Sequence, residues 1–327
     1  MRVILWLGLV LGLLWGGYWV VGSSAITRGT EQWIKDAAAQ GMIVENSGIS
    51  VSGFPSRFDL TITKPRLSDP ASGWSWKAPF AQLLSMTWKP WHVIAILPND
   101  QEIDAPQQRI ALTSSKMAAS LRLRPTSDLT LEELVVEGHD LTIQSDLGWQ
   151  IGAKSGVLAL AGESARPFGQ HLGLEIVDLR PDPVLARQLP SLGDVVSAIH
   201  LDASIVLSAA LDRHIGETEP VVTDLIVHDF RVTWGTLQLT AKGQVGSGPD
   251  GRAQGQIDFR VKDWQQIPAF VVALGLVRPE MGKSLISGLD VLAKSGADPD
   301  VLDLALTFAD GWANLGPLPL GPAPMLN

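Results

Sequence analysis

Beyond Met42 the chain keeps returning to one pattern, in which apolar and polar residues alternate one for one in short runs. Phe58, Leu60 and Ile62 alternate with Asp59, Thr61 and Thr63. Leu237 and Leu239 alternate with Gln238 and Thr240, and Ile257 and Phe259 with Asp258 and Arg260. Leu302, Leu304, Leu306 and Phe308 alternate with Asp303, Ala305 and Thr307. Successive side chains of a strand point to opposite faces, so each run is a strand that is greasy on one face and wet on the other. Gly248-Pro249-Asp250-Gly251 supplies hairpin chemistry between two of them. The crossover helix that every parallel strand pair requires is missing. The pattern predicts a mainly β fold: a long antiparallel meander sheet, built as an open half-tube or a sandwich, with a few helices. A one-sided sheet must cover its greasy face with a second sheet, with helices or with a ligand, and alternation alone serves all three. The expected helices are Pro183–Ser197, interrupted by Pro190, and a pair at Gln265–Val277 and Pro279–Ser295.

The sheet is preceded by Val3–Val21, a run of nineteen residues without a charge or a side-chain amide. About 20 helical residues cross a hydrocarbon core ~30 Å thick, so this is a transmembrane helix. Trp6, Trp15, Tyr18 and Trp19 fall towards its ends, where amphipathic rings suit the membrane interface. The length favours an uncleaved signal-anchor over a cleaved signal peptide, whose apolar region spans about 7–15 residues, although Ser23-Ser24-Ala25 offers a small-residue cut site. Arg2 on one side and Arg28 with Lys35 on the other do not set the orientation. A first apolar segment is read as an export signal, and long following domains cross regardless of charge. The expectation is a single-pass inner-membrane protein with its C-terminal domain in the periplasm. The organisation follows: anchor 1–22, juxtamembrane helix 23–41, β-rich lobe 42–182, a second β-rich lobe 183–314 containing the helical pair 265–295, and a Pro-rich tail 315–327. In the juxtamembrane helix Trp33, Ile34, Ala37 and Ala38 share one face, to lie on the bilayer or pack on the sheet.

Catalytic and metal motifs are absent from the sequence. It has no Cys, hence no disulfide, thiol nucleophile or thiolate site. None of its six His falls at metal-binding spacing. Gly48-Ile49-Ser50-Val51-Ser52-Gly53 misses the nucleophile-elbow spacing by one residue, and no phosphate-binding glycine loop occurs. Asp298, Asp300 and Asp303 lack the glycine and glutamate of a calcium loop and read as a turn. A net charge of −9 disfavours nucleic acid. The sequence thus predicts a protein that is not an enzyme and has no cofactor, catalytic residue or metal site.

Several blocks carry a resemblance. Gly53-Phe54-Pro55-Ser56-Arg57-Phe58-Asp59-Leu60, Ala78-Pro79, Trp88-Lys89-Pro90, Ile96-Leu97-Pro98 followed by Gln101, and the closing Gly311–Pro324 segment resemble the alphaproteobacterial family called domain of unknown function 2125. That family has no established activity to carry over. More distantly the architecture is similar to AsmA-like envelope proteins, which implies lipid handling. The expected function is a membrane-anchored periplasmic envelope protein that cradles or transfers membrane lipid along an apolar groove. The candidate groove residues are Phe58, Leu60, Ile62, Leu237, Leu239, Ile257, Phe259, Leu304 and Leu306. The alternative is an assembly factor that binds another envelope protein through an edge strand or the Pro-rich tail.

Overall fold

The computed structural model describes residues 2–215, 220–273, 279–294, 296, 298–316 and 318–326. The anchor and juxtamembrane segments form one helix, α1 (Arg2–Ala39). The Ser23 and Ser24 hydroxyls bond back to the Val20 carbonyl, so the small-residue triplet continues the helix. Gly41, at φ 89°, closes it, with the Met42 N–H returning to the Ala37 carbonyl at 3.0 Å. Gly22, Ile26, Thr30, Ile34 and Ala37 recur at three- and four-residue spacing and form its less exposed edge. That edge packs on the sheet, while Trp33 points outward at 52% exposure.

By contact density the chain divides into two compact units, the first comprising 1–125 and 136–148 and the second 126–135 and 149–327. In the first unit, short strands come in collinear pairs: β1 (Ile43–Glu45) with β2 (Gly48–Ser52), β3 (Arg57–Thr63) with β4 (Arg66–Asp69), β5 (Trp74–Lys77) with β6 (Phe80–Met86), β7 (Lys89–Leu97) with β8 (Asp100–Ala105), and β9 (Gln108–Thr113) with β10 (Lys116–Leu123). Each pair is one long strand with a two-residue break, and the pairs meander antiparallel. Strands β2–β3–β6–β7–β10 form one side of the breaks and β1–β4–β5–β8–β9 the other, with β11 (Leu131–Ser145) added beside β9. The breaks face each other across the sheet. Ser47 donates to Thr63, Lys64 to Pro79, Ala78 to Pro65, and Ser114 to Asn99, all main chain to main chain. Pro65, Pro79 and Pro98 cause this seam, because proline has no N–H to give to the ladder.

The second unit is a plain meander. Strands β12 (Gln150–Gly162), β13 (Gly169–Leu179), β14 (Val196–Leu207), β15 (Val222–Trp234), β16 (Leu237–Ser247), β17 (Ala253–Lys262), β18 (Val301–Ala309), β19 (Trp312–Leu315) and β20 (Leu318–Pro322) each pair antiparallel with the next. The Gly248–Gly251 turn joins β16 to β17 as expected, with Gly248 N–H on the Arg252 carbonyl at 2.7 Å. Among the described residues the meander is interrupted by α2 (Pro183–Gln188), a short 3₁₀ turn at Trp264–Gln266, α3 (Ile267–Ala273) and α4 (Pro279–Lys294). Asp182 caps α2 by accepting from Val184 N–H at 2.8 Å, and the helix stops before Pro190. The expected helical pair is thus present, although residues 274–278 and 295 of it lie outside those described. The fold is mainly β and antiparallel with few helices, as the alternation predicts.

Candidate functional site

The sheet register places the predicted groove residues on one face within each unit. In the first unit Val51, Leu60, Leu83, Ala95 and Ala119 lie side by side across five strands, flanked by Ile49, Ile62 and Ala81. Phe58 shares this face, and Ser85, Val93 and Leu121 continue its row. Beyond the seam Val44, Leu67, Trp76, Ile103 and Ile110 form a second apolar row. Gln101 ties the two sides together. It accepts from the Trp76 indole at 2.9 Å and donates to Met117 Sδ at 3.2 Å, so both rows occupy the same side of the sheet.

Little covers this face. Among the described residues of the first unit, prolines aside, the buried apolar side chains are Ala37, Phe58, Leu60 and Ala78. Phe58 and Leu60 are sealed by α1, which runs over β1, β2 and β3. Ile62 and the rows beyond are half-buried, and Leu83 is 39% exposed. Both packed hydrophobic clusters of the described residues belong to the second unit.

The second unit shows the opposite balance. Leu158, Leu174, Leu201, Phe230, Ala241, Phe259 and Leu304 make one apolar row across seven strands. Leu239 and Ile257 with Leu306 sit in the rows on either side. At one end the helices plug the face: Leu189 just after α2, Trp264 of the 3₁₀ turn before α3, and Leu289 and Ala293 of α4 pack on Leu237, Val261 and Leu302. At the other end Ala323 of the tail packs on Ala241, Val245, Ala253 and Ile257. Leu237 and Ile257 are therefore core side chains, while Leu239, Phe259, Leu304 and Leu306 are half-buried against those clusters. The tail is held within the chain, with Ala253 N–H on the Pro324 carbonyl at 2.8 Å and Arg252 Nη1 on the Ala323 carbonyl at 2.9 Å.

The seal over Phe58 depends on Gly22. A Cβ there would lie 2.5 Å from Phe58 Cζ, inside contact distance. Gly22→Leu is therefore expected to lift α1 from β3, at a cost of about 1–3 kcal/mol of overpacking. Trypsin cleavage after Arg28 and Lys35 should accelerate at least tenfold; an unchanged rate would show that α1 does not depend on this contact.

The opposite face is charged beyond the seam and along β17 and β18, while on β3, β6 and β7 it mixes Asp59 and Gln82 with Leu84, Ile94 and Ile96. Lys77 pairs with Glu102 at 2.9 Å, Arg109 with Asp104 at 2.9 Å, and Arg260 with Asp303 at 3.2 Å. The Arg109 guanidinium, and then Lys77, hold the Asp104 carboxyl below its usual range. These pairs are solvated and add little stability. A hollow of about 670 Å³ lies on this face at the seam, lined by cations and anions alike, including Lys64, Arg66, Lys77, Glu45, Asp100 and Glu102. In the second unit the ladder brings together residues that no sequence spacing relates. Ser204 bonds to Glu163 and sits 2.8 Å from His228 Nε2, while His171 lies 3.5 Å from Asp202 and stacks towards His228. Ser204 is buried, and its hydroxyl is shared between Glu163 and His228. Among the described residues no group of three His, Cys, Asp or Glu is arranged to hold a metal.

Trp6 is exposed on α1, whereas the other predicted interface rings are engaged. Trp15 Nε1 donates to the Pro55 carbonyl at 2.9 Å, Tyr18 Oη to Thr87 at 2.6 Å, and Trp19 Nε1 to Arg57 at 2.8 Å. Among the described residues α1 is the one helix long and apolar enough to cross a membrane. A membrane-type helix docked on a one-sided antiparallel sheet is thus the arrangement in which the Gly53–Leu60 block sits. No curated protein matches the chain. Residues 19–324 match the family described as "Uncharacterized protein conserved in bacteria" (DUF2125), and the chain belongs to that family.

Proposed function

We propose that this protein is a membrane-anchored envelope protein, with its β-domain in the periplasm, that cradles lipid acyl chains along the apolar face of its first unit. The observation that carries the reading is a sheet face of two apolar rows that, among the described residues of its own unit, has no second layer beyond α1, and where Leu83 and its neighbours stay half-exposed. Each CH₂ of an acyl chain laid there gains about 0.8 kcal/mol by leaving water, enough to hold a lipid over several strands. The tail is tied down within the chain, which leaves the partner-docking alternative without support from that segment.

Photo-crosslinking tests the proposal. Strand β7 rises about 30 Å over its nine residues and a two-residue break follows before β8 begins, so Ile103 lies far along the sheet from the Thr87 turn. A benzophenone side chain at Ile103, on the apolar face, is expected to capture phospholipid in membranes. The same group at Glu102, on the charged face, is expected not to. Equal capture at both positions, or none at Ile103, rules out the cradle.

A further inference from the structure

The turns at one end of the first unit carry exposed apolar side chains: Phe54 at 59%, Trp88 at 58% and Met86 at 44% exposure. The two turns are joined, because Thr87 N–H and Oγ1 both donate to the Ser56 carbonyl, at 3.1 and 3.2 Å. Together they form a tip, and Trp15, Tyr18 and Trp19 fix that tip to α1. The height of this attachment matters. Between the charged Arg2 and this attachment the uncharged run supplies only Val3–Leu14. They rise about 20 Å at ~1.5 Å per residue, which is about 10 Å short of the hydrocarbon core. To cross, α1 must place residues to about Val21 in lipid, and whatever Trp15, Tyr18 and Trp19 hold goes with them.

The tip is built for that setting. Backbone in lipid must have its polar groups satisfied internally. Here the carbonyls of Pro55, Arg57 and Thr87 accept from the α1 rings, Ser56 accepts from Thr87, and Gly53 accepts from Ser56 and Arg57 N–H. Pro55 has no N–H to lose. Trp19 packs edge-on to Phe54 at 5.5 Å, which continues the apolar surface from helix to turn. We propose that the Phe54–Pro55 and Met86–Trp88 turns insert into the lipid bilayer, at the acyl–headgroup boundary of the leaflet where α1 emerges. The inference does not require lipid to be carried along the sheet. It makes the sheet end a second membrane contact, through which the apolar face of β2, β3, β6 and β7 meets the bilayer directly.

The chain has no native Cys, so single labels report cleanly. Full-length Phe54→Cys, Trp88→Cys and Ala71→Cys variants carry an environment-sensitive fluorophore in liposomes containing lipid spin-labelled near the top of the acyl chain. Ala71 lies in the exposed turn between β4 and β5, beyond the seam from the tip. Labels at 54 and 88 are expected to be quenched at least fivefold more strongly than the label at 71. Trp88 is exposed, so its label reads depth even where Phe54→Cys disturbs Trp19. A label at 88 quenched no more than the label at 71 overturns the inference, whatever lipid the sheet itself carries.

Discussion

Leu302→Ala is expected to remove about 3–5 kcal/mol of stability from the second unit, the range found for emptying a sealed leucine site. Leu302 is fully inaccessible. It sits on β18 opposite Val261, itself 2% exposed, and under the cluster formed by Leu189, Trp264, Leu289 and Ala293. The cavity has little freedom to collapse, because sheet pairing fixes one wall and buried hydrogen bonds fix another. Trp264 Nε1 is held by the Pro299 carbonyl at 3.1 Å, and Trp234 Nε1 by Gly193 at 3.0 Å. The readout is a shift of the urea midpoint followed by tryptophan emission, to which these two buried indoles contribute. A loss under ~1 kcal/mol would show that α2 and α4 are loosely seated, and that the greasy face of this unit is open rather than plugged.

The outcome at Leu302 bears on how the sequence encodes the two units. Strand faces were legible where the alternation runs unbroken. Leu237, Leu239, Ile257, Phe259, Leu304 and Leu306 land on one side because alternation is a local property, set by the backbone of each strand. The Gly248–Gly251 hairpin was legible for the same reason. What covers a face is a long-range fact with no period. Nothing in the spacing of Phe58 says that Gly22, thirty-six positions earlier, will lie on its ring. Nothing around Leu237 and Ile257 tells them from Leu239 and Phe259, yet the first two are sealed and the others half-open. The seam was half-written. Pro65, Pro79 and Pro98 mark breaks in three strands, but only the register shows that the breaks align. Trp15, Tyr18 and Trp19 were legible as rings suited to an interface, whereas their donation to carbonyls of the Phe54 and Thr87 turns required the fold. The His171–Ser204–His228 grouping depends on three adjacent strands and a bulge in β15, which single-chain spacing cannot express.

Leu83→Asp separates an open face from a sealed one. Leu239 is poorly suited to that test, since it packs on the Leu302 cluster and a carboxylate there would unfold the unit for reasons unrelated to lipid. Leu83 stands in the middle of the first unit's row, between Leu60 and Ala95, and is 39% exposed. A carboxylate at this position stays hydrated while the face is empty, so the fold should lose no more than about 1 kcal/mol. An acyl chain laid across the same position would strip that water and leave the charge unpaired against hydrocarbon, a cost of several kcal/mol. The expected result is a drop of tenfold or more in phospholipid captured at Ile103, with an unchanged far-UV spectrum. Leu84→Asp, one residue on and on the opposite face beside Asp59 and Ile94, should leave capture intact. If Leu83→Asp instead destabilises the chain as severely as Leu302→Ala, the row is interior to the folded protein and no acyl chain lies on it.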